Sequence, residues 1–191
     1  MRIKTTYLFP AFIALLFMAY TRDTSAQDRL SGTEQQIVAA VEAHKNAAID
    51  FLERIVNMNS GSMNFDGVRR VGDAFDAELA NMGFSTEWID GESFGRAGHL
   101  FATRGTKGPH FLLVGHLDTV FELDSPFQSF ERIDENKAVG PGIIDMKGGD
   151  VVMLEAIRAL NVAGVLDHMT ITVALIGDEE SSGSPLELGR A

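Results

Sequence analysis

An α/β fold, built on a mixed and mostly parallel sheet flanked by helices, is predicted by three observations. Stretches with helical apolar spacing alternate along the chain with short strand-like runs. One of those runs, Met169 to Ile176, is almost continuously apolar and β-branched, the pattern of a strand covered on both faces. A second, His110 to Val114, leads straight into the polar pair His116 and Asp118, so polar chemistry gathers where strands end.

Taken in order, the first 26 residues differ in kind from the rest. Arg2 and Lys4 precede an apolar run from Tyr7 to Tyr20, and Thr24-Ser25-Ala26 follows with the small residues of a cleavage site. That layout predicts a secretory signal peptide cut after Ala26, and the apolar run is too short for a permanent span. The expected location is therefore secreted or periplasmic. Glu34 to Met58 then has helical spacing through Ile37, Val41, Phe51, Leu52 and Ile55, with Ser31 or Thr33 to cap it. Asp66 to Met82 repeats the pattern and Gly83 stops it. Phe84 to Ile89 reads as a strand. His99 to Arg104 and His110 to Val114, joined by Gly105-Thr-Lys-Gly-Pro109, read as a hairpin. An irregular segment runs on to Val139, a third helix covers Met146 to Leu160, and the buried strand Met169 to Ile176 delivers Asp178-Glu179-Glu180.

Composition narrows the chemistry. The chain has 191 residues, 45% of them hydrophobic and 23% charged, which suits a soluble globular domain. Its net charge of -11 argues against nucleic acid or an anionic membrane as a partner. With no cysteine, a thiolate metal site is excluded, and any metal must be held by His, Asp and Glu.

Three polar stations stand out. Strand alternation puts His116 and Asp118 on one side, where a neutral imidazole can bind a metal through one nitrogen while its other N–H donates to the carboxylate. Gly140-Pro-Gly-Ile-Ile-Asp145-Met-Lys-Gly-Gly149 places a carboxylate just before a helix. Alone, Asp145 is equally an N-cap aspartate, and it sits where a dinucleotide loop would need glycine. Asp178-Glu179-Glu180 alone is a solvated acidic turn, but three acids at the exit of a buried strand repel one another unless a cation relieves them. The histidines at 44, 99, 110 and 168 read as surface or packing residues.

Together, His116-Leu-Asp118-Thr-Val, Gly140 to Gly149 and Asp178-Glu179-Glu180-Ser-Ser-Gly resemble the di-zinc exopeptidase family. That family includes acetylornithine deacetylase, succinyl-diaminopimelate desuccinylase and the glutamate carboxypeptidases. The signal segment and the run from Gly115 to Gly149 are most similar to its secreted carboxypeptidase G-type members. The resemblance implies that His116, Asp145 and Glu180 are metal ligands, with Asp145 shared between two Zn2+ ions and Co2+ as a substitute. It further implies that Asp118 orients His116, that Glu179 is the general base for the attacking water, and that a cis peptide joins Asp145 to Met146. The reaction expected from it is hydrolysis of a peptide or N-acyl amino acid beside a free carboxylate. By the same resemblance, residues 27–191 are the N-terminal part of a truncated catalytic domain. The family's inserted domain, its usual homodimer contacts and two further ligands are expected outside it, which leaves each metal one ligand short. The alternative reading is a non-catalytic relative that binds a metal or a partner without turnover. A metal-free carboxylate pair, as in a glycosidase, leaves His116 unexplained.

Overall fold

Ser31 opens the first helix with a capping box: its hydroxyl accepts from the Glu34 backbone, and the Glu34 carboxylate accepts from the Ser31 N–H. The helix, α1, spans Gly32–Val56. The computed structural model describes residues 30–189, so the predicted signal segment 1–26 lies outside the described residues. Among those, no helix is long and apolar enough to cross a membrane. Only the C-terminal half of α1 is sealed, by Phe51, Ile55 and Val56; Val38 and Val41 stay exposed despite their apolar spacing. A second helix, α2 (Phe65–Asn81), buries Val68, Val71, Phe75 and Leu79 at the predicted period and is capped by Asn64. The third, α3 (Gly148–Val162), starts two residues later than the spacing suggests, because Ile143–Lys147 forms an irregular π-type turn of its own.

Four strands make the main sheet: β1 (Ser85–Asp90), β2 (Gly98–Arg104), β3 (His110–His116) and, after a small outlying ribbon, β6 (Thr170–Ile176). Their order is β1-β2-β6-β3. The α/β class and the mixed sheet hold, although two of the three pairings are antiparallel and only β3 with β6 is parallel. The hairpin predicted for residues 99–114 is not formed, because β6 lies between β2 and β3 and pairs with both. The physical reason sits in the connecting loop. Gly105 and Gly108 adopt positive φ and pass so close to the carbonyls of Met169 and His168 that neither position has room for a Cβ. The loop thus wraps the entry of β6 instead of turning one strand onto the other, and the actual hairpin is β1–β2.

β6 is therefore the centre of the sheet, not the open edge that its apolar run would otherwise present. The edges are β1 and β3, and on β3 Leu112 and Val114 are 64% and 59% exposed. The core gathers Phe51 and Ile55 of α1, Val71 and Phe75 of α2 and Leu154 and Ile157 of α3 over Leu100, Ile171, Val173 and Leu175 of the sheet. The segment predicted to be irregular up to Val139 contains a small antiparallel ribbon, β4 (Glu131–Asp134) with β5 (Lys137–Val139). A short α4 (Leu186–Gly189) closes the described chain.

Candidate metal centre

Parallel pairing decides where the chemistry collects. Because β3 and β6 run the same way with His116 opposite Ile176, both strands end at one place. The Leu117 N–H continues the ladder by donating to the Ile176 carbonyl at 2.7 Å. His116 and Asp178 to Glu180 are thereby neighbours, although 62 to 64 positions separate them in the chain. Asp145 arrives on the Ile143–Lys147 turn, where its peptide bond to Met146 is cis.

His116 is buried, and its two ring nitrogens have different partners. Nδ1 lies 3.1 Å from the Asp118 carbonyl and 3.5 Å from the Asp118 carboxylate. Nε2 points outward and is 3.0 Å from Oδ1 of Asp145, whose side chain is 72% exposed. One donor atom each from His116, Glu179 and Glu180 lies within 4.8 Å of the others. Asp118 stands behind this group, fully buried. Its Oδ1 accepts from the Glu179 N–H and its Oδ2 from the Glu180 N–H, both at 3.1 Å, and the Ser62 hydroxyl donates to Oδ2 at 2.6 Å. Asp118 thus fixes the imidazole chiefly through its carbonyl and the backbone of the acidic pair through its carboxylate.

The electrostatics call for a cation. Burial works against a charged His116 ring, yet its hydrogen bonds to Asp118 and Asp145 outweigh that and lift its pKa to about 9. Burial, then repulsion from Asp145, raises Glu180 above the usual carboxylate range, with His116 opposing. Burial also acts to raise Asp118, but its partners His116, Ser62 and the two backbone N–H groups hold it low. An imidazole nitrogen with three converging carboxylates, and no thiolate, is a donor set that fits a divalent metal.

Residues 112–189 match the family model described as peptidase family M20/M25/M40. Over this stretch the chain is similar to the M20 peptidases. Carboxypeptidase G2 of Pseudomonas sp. (strain RS-16) is 33% identical over 172 residues, covering 89% of this chain and 40% of the relative. A succinyl-diaminopimelate desuccinylase of Halorhodospira halophila (strain DSM 244 / SL1) is 37% identical over 107 residues, or 53% of this chain and 27% of the relative. The chain therefore spans well under half the length of these curated relatives. Among solved structures, human carnosine dipeptidase 1 superposes with a TM-score of 0.64 at 17% identity, over 78% of this chain and 35% of that one. The M20 family metallo-carboxypeptidase Sso-CP2 of Sulfolobus solfataricus gives 0.58 at 18%, over 70% and 31%. At such identities these two speak for the fold alone.

All five predicted site residues, His116, Asp118, Asp145, Glu179 and Glu180, come together in the folded chain. Sequence reasoning missed three supporting residues. Ser62 lies in a polar loop with nothing in the sequence to mark it, and its bond to Asp118 crosses 56 positions. Lys147 is buried, and its ammonium donates at 2.9 Å to the carbonyls of Ile55 and Met58, tying the Asp145 turn to the end of α1. Asp150 is buried as well, its carboxylate pressed against Gly115, where no Cβ would fit. The only cue to Lys147 and Asp150 was their place around Gly148-Gly149, which suggests solvated helix-start residues. His99 keeps the packing role expected of it: it accepts from the Gly177 N–H, bonds the Gly189 carbonyl and stacks on Phe94.

Proposed function

We propose that the protein hydrolyses, with a bound divalent metal, an amide bond in a peptide or N-acyl amino acid next to a free carboxylate. The observation that carries this reading is the convergence of His116 Nε2, Asp145 and the Glu179–Glu180 pair at the shared end of β3 and β6, with Asp118 behind them. His116, Asp145 and Glu180 would hold the metal, with Asp145 shared if two ions bind, and zinc suits these donors. The relatives' names, a carboxypeptidase and a desuccinylase, support the substrate class. Bound metal supplies Lewis acidity toward the scissile carbonyl and the attacking water.

The chain's own residues do the rest. Asp118 accepts the Nδ1–H of His116 at its carbonyl, with its carboxylate 3.5 Å away, so that a ring that has given up its Nε2 proton to make room for the metal turns that lone pair outward. The same carboxylate, through the N–H groups of residues 179 and 180, fixes the two glutamates relative to that ring. Glu179, exposed at the mouth, takes a proton from the attacking water and returns it to the departing amine. Replacing Glu179 with Gln should leave the metal content intact and lower kcat by roughly 10²-fold or more. Metal analysis and chelator-sensitive hydrolysis of N-acyl amino acids test the proposal on one sample. Metal bound without turnover would favour the binding-module alternative. We further propose that the whole protein is a homodimer, which sedimentation checks.

A further inference from the structure

Glu179 and Glu180 stand on a stretch with no helix or strand of its own: residues 177–184 leave β6 as bends and coil. Asp118 anchors the two glutamates by their N–H groups. The residues around them are held instead by the connection from β1 to β2 and the start of β2. His99 accepts from the Gly177 N–H, and the Phe94 carbonyl accepts from the Ser184 N–H at 2.8 Å. Gly183 lies so close to Phe94 and the stem of Arg96 that a Cβ would clash there. Arg96, only partly exposed, makes the most bonds. Its Nε donates to the Ser181 carbonyl at 2.6 Å, and its Nη2 to the Ser181 hydroxyl at 3.0 Å and the Ser182 carbonyl at 2.9 Å. Its Nη1 donates to the adjacent Gly95 carbonyl at 2.7 Å, which fixes the plane of the guanidinium.

We infer that Arg96 is a positioning residue, which keeps the Glu179–Glu180 pair in place by gripping the two serines that follow it. What that placement contributes to turnover rests on the amide-hydrolase reading above. In a chain with 27 acidic residues, all four of these Arg96 bonds go to carbonyl or hydroxyl oxygens and none to a carboxylate. Hydrogen bonds from a charged donor are about twice as strong as neutral ones, and the planar fork fixes direction as well as distance. The grip begins one residue past Glu180, where the Asp118 anchor ends. The acidic pair is thus held on both sides along the chain, by His99 at Gly177 and by Arg96 at Ser181 and Ser182. None of the four bonds reaches a donor atom of the centre, so Arg96 acts through the backbone. Such control matters to a general base, because a misplacement of about 1 Å can cost roughly 10²-fold in rate.

Arg96→Met keeps the stem against Gly183 and removes the fork, while Arg96→Ala also leaves room for a guanidinium ion. In metal-free protein, amide hydrogen exchange at Glu179 and Glu180 should quicken about tenfold in both variants, with the amides of β6 unchanged. Millimolar guanidinium should restore protection in Arg96→Ala and not in Arg96→Met. In zinc-loaded protein, glutamate release from N-acetylglutamate should show kcat lowered roughly 10-fold or more and KM within about twofold. Exchange quickened throughout the sheet, unchanged exchange at residues 179 and 180, or no recovery with guanidinium would each overturn the role. The exchange measurement needs no turnover, which keeps the two ideas apart. Local quickening in a protein that hydrolyses nothing supports the grip of Arg96 and counts against the hydrolase reading. Hydrolysis with the same kcat in both variants supports that reading and overturns the positioning role.

Discussion

Ser62 donates the shortest hydrogen bond to Asp118, and both groups are sealed from water. Ser62→Ala would leave Oδ2 with the Glu180 N–H alone, at a cost of about 1–3 kcal/mol for a buried carboxylate losing a donor. It should also loosen the hold on His116 and weaken metal affinity by roughly 10-fold, the lower end for a supporting partner. Competitive metal titration and urea unfolding check both, and a variant unchanged in each would make the bond incidental. Asp150 gives a pH signature. Burial pushes its pKa up to about 7, with His116 and Lys147 pulling the other way, so the folded protein holds a proton that the unfolded chain releases near 3.8. The folded state then binds more protons than the unfolded one between those values, and this group's contribution to stability falls as pH rises from about 4 to 7. Asp150→Asn should flatten that fall in metal-free protein and gain stability over the parent at pH 8, as read from unfolding midpoints. A parallel pH profile would exclude Asp150 as the source.

Between elements, the loop from β2 to β3 decides the sheet order. Gly108 has φ +73° and no space for a Cβ beside the His168 carbonyl. Gly108→Ala should destabilise the protein by at least about 1–2 kcal/mol, the scale for an L-residue forced left-handed, with the added clash on top. Thermal unfolding tests this, and an unshifted Tm would mean that the loop relaxes freely. The helices were legible to within two residues because α2 and α3 bury a stripe at the helical period. The hairpin was misread because its loop has turn composition, and composition is silent on which strand fills the space beside it. The β4–β5 ribbon escaped notice because its residues are mostly exposed and lack alternation.

At the scale of the whole molecule, the centre joins β3, β6 and the turn before α3, so a bound metal ties together segments distant in sequence. Metal binding the folded form should therefore stabilise it, by about 2.7 kcal/mol when free metal is a hundredfold above its Kd. The expected readout is a rise of several degrees in Tm on adding Zn2+, reversed by EDTA and absent in His116→Ala. A zinc-independent Tm would argue that these donors do not act together on an ion. The buried Lys147 adds a second tie, from the same turn to the end of α1.

By itself the sequence determined the α/β class and the helix positions, and it singled out the five residues that the fold brings together as a candidate centre. Each is written locally, in apolar period, cap chemistry, and polar groups placed at strand ends. The tertiary structure alone decided that β6 sits between β2 and β3, that Ser62 supports Asp118, and that Lys147 and Asp150 are buried. It also set Arg96 against the serines that follow Glu180. Those facts depend on contacts between distant segments, and a buried lysine or aspartate carries the same letters as a solvated one until packing removes its water.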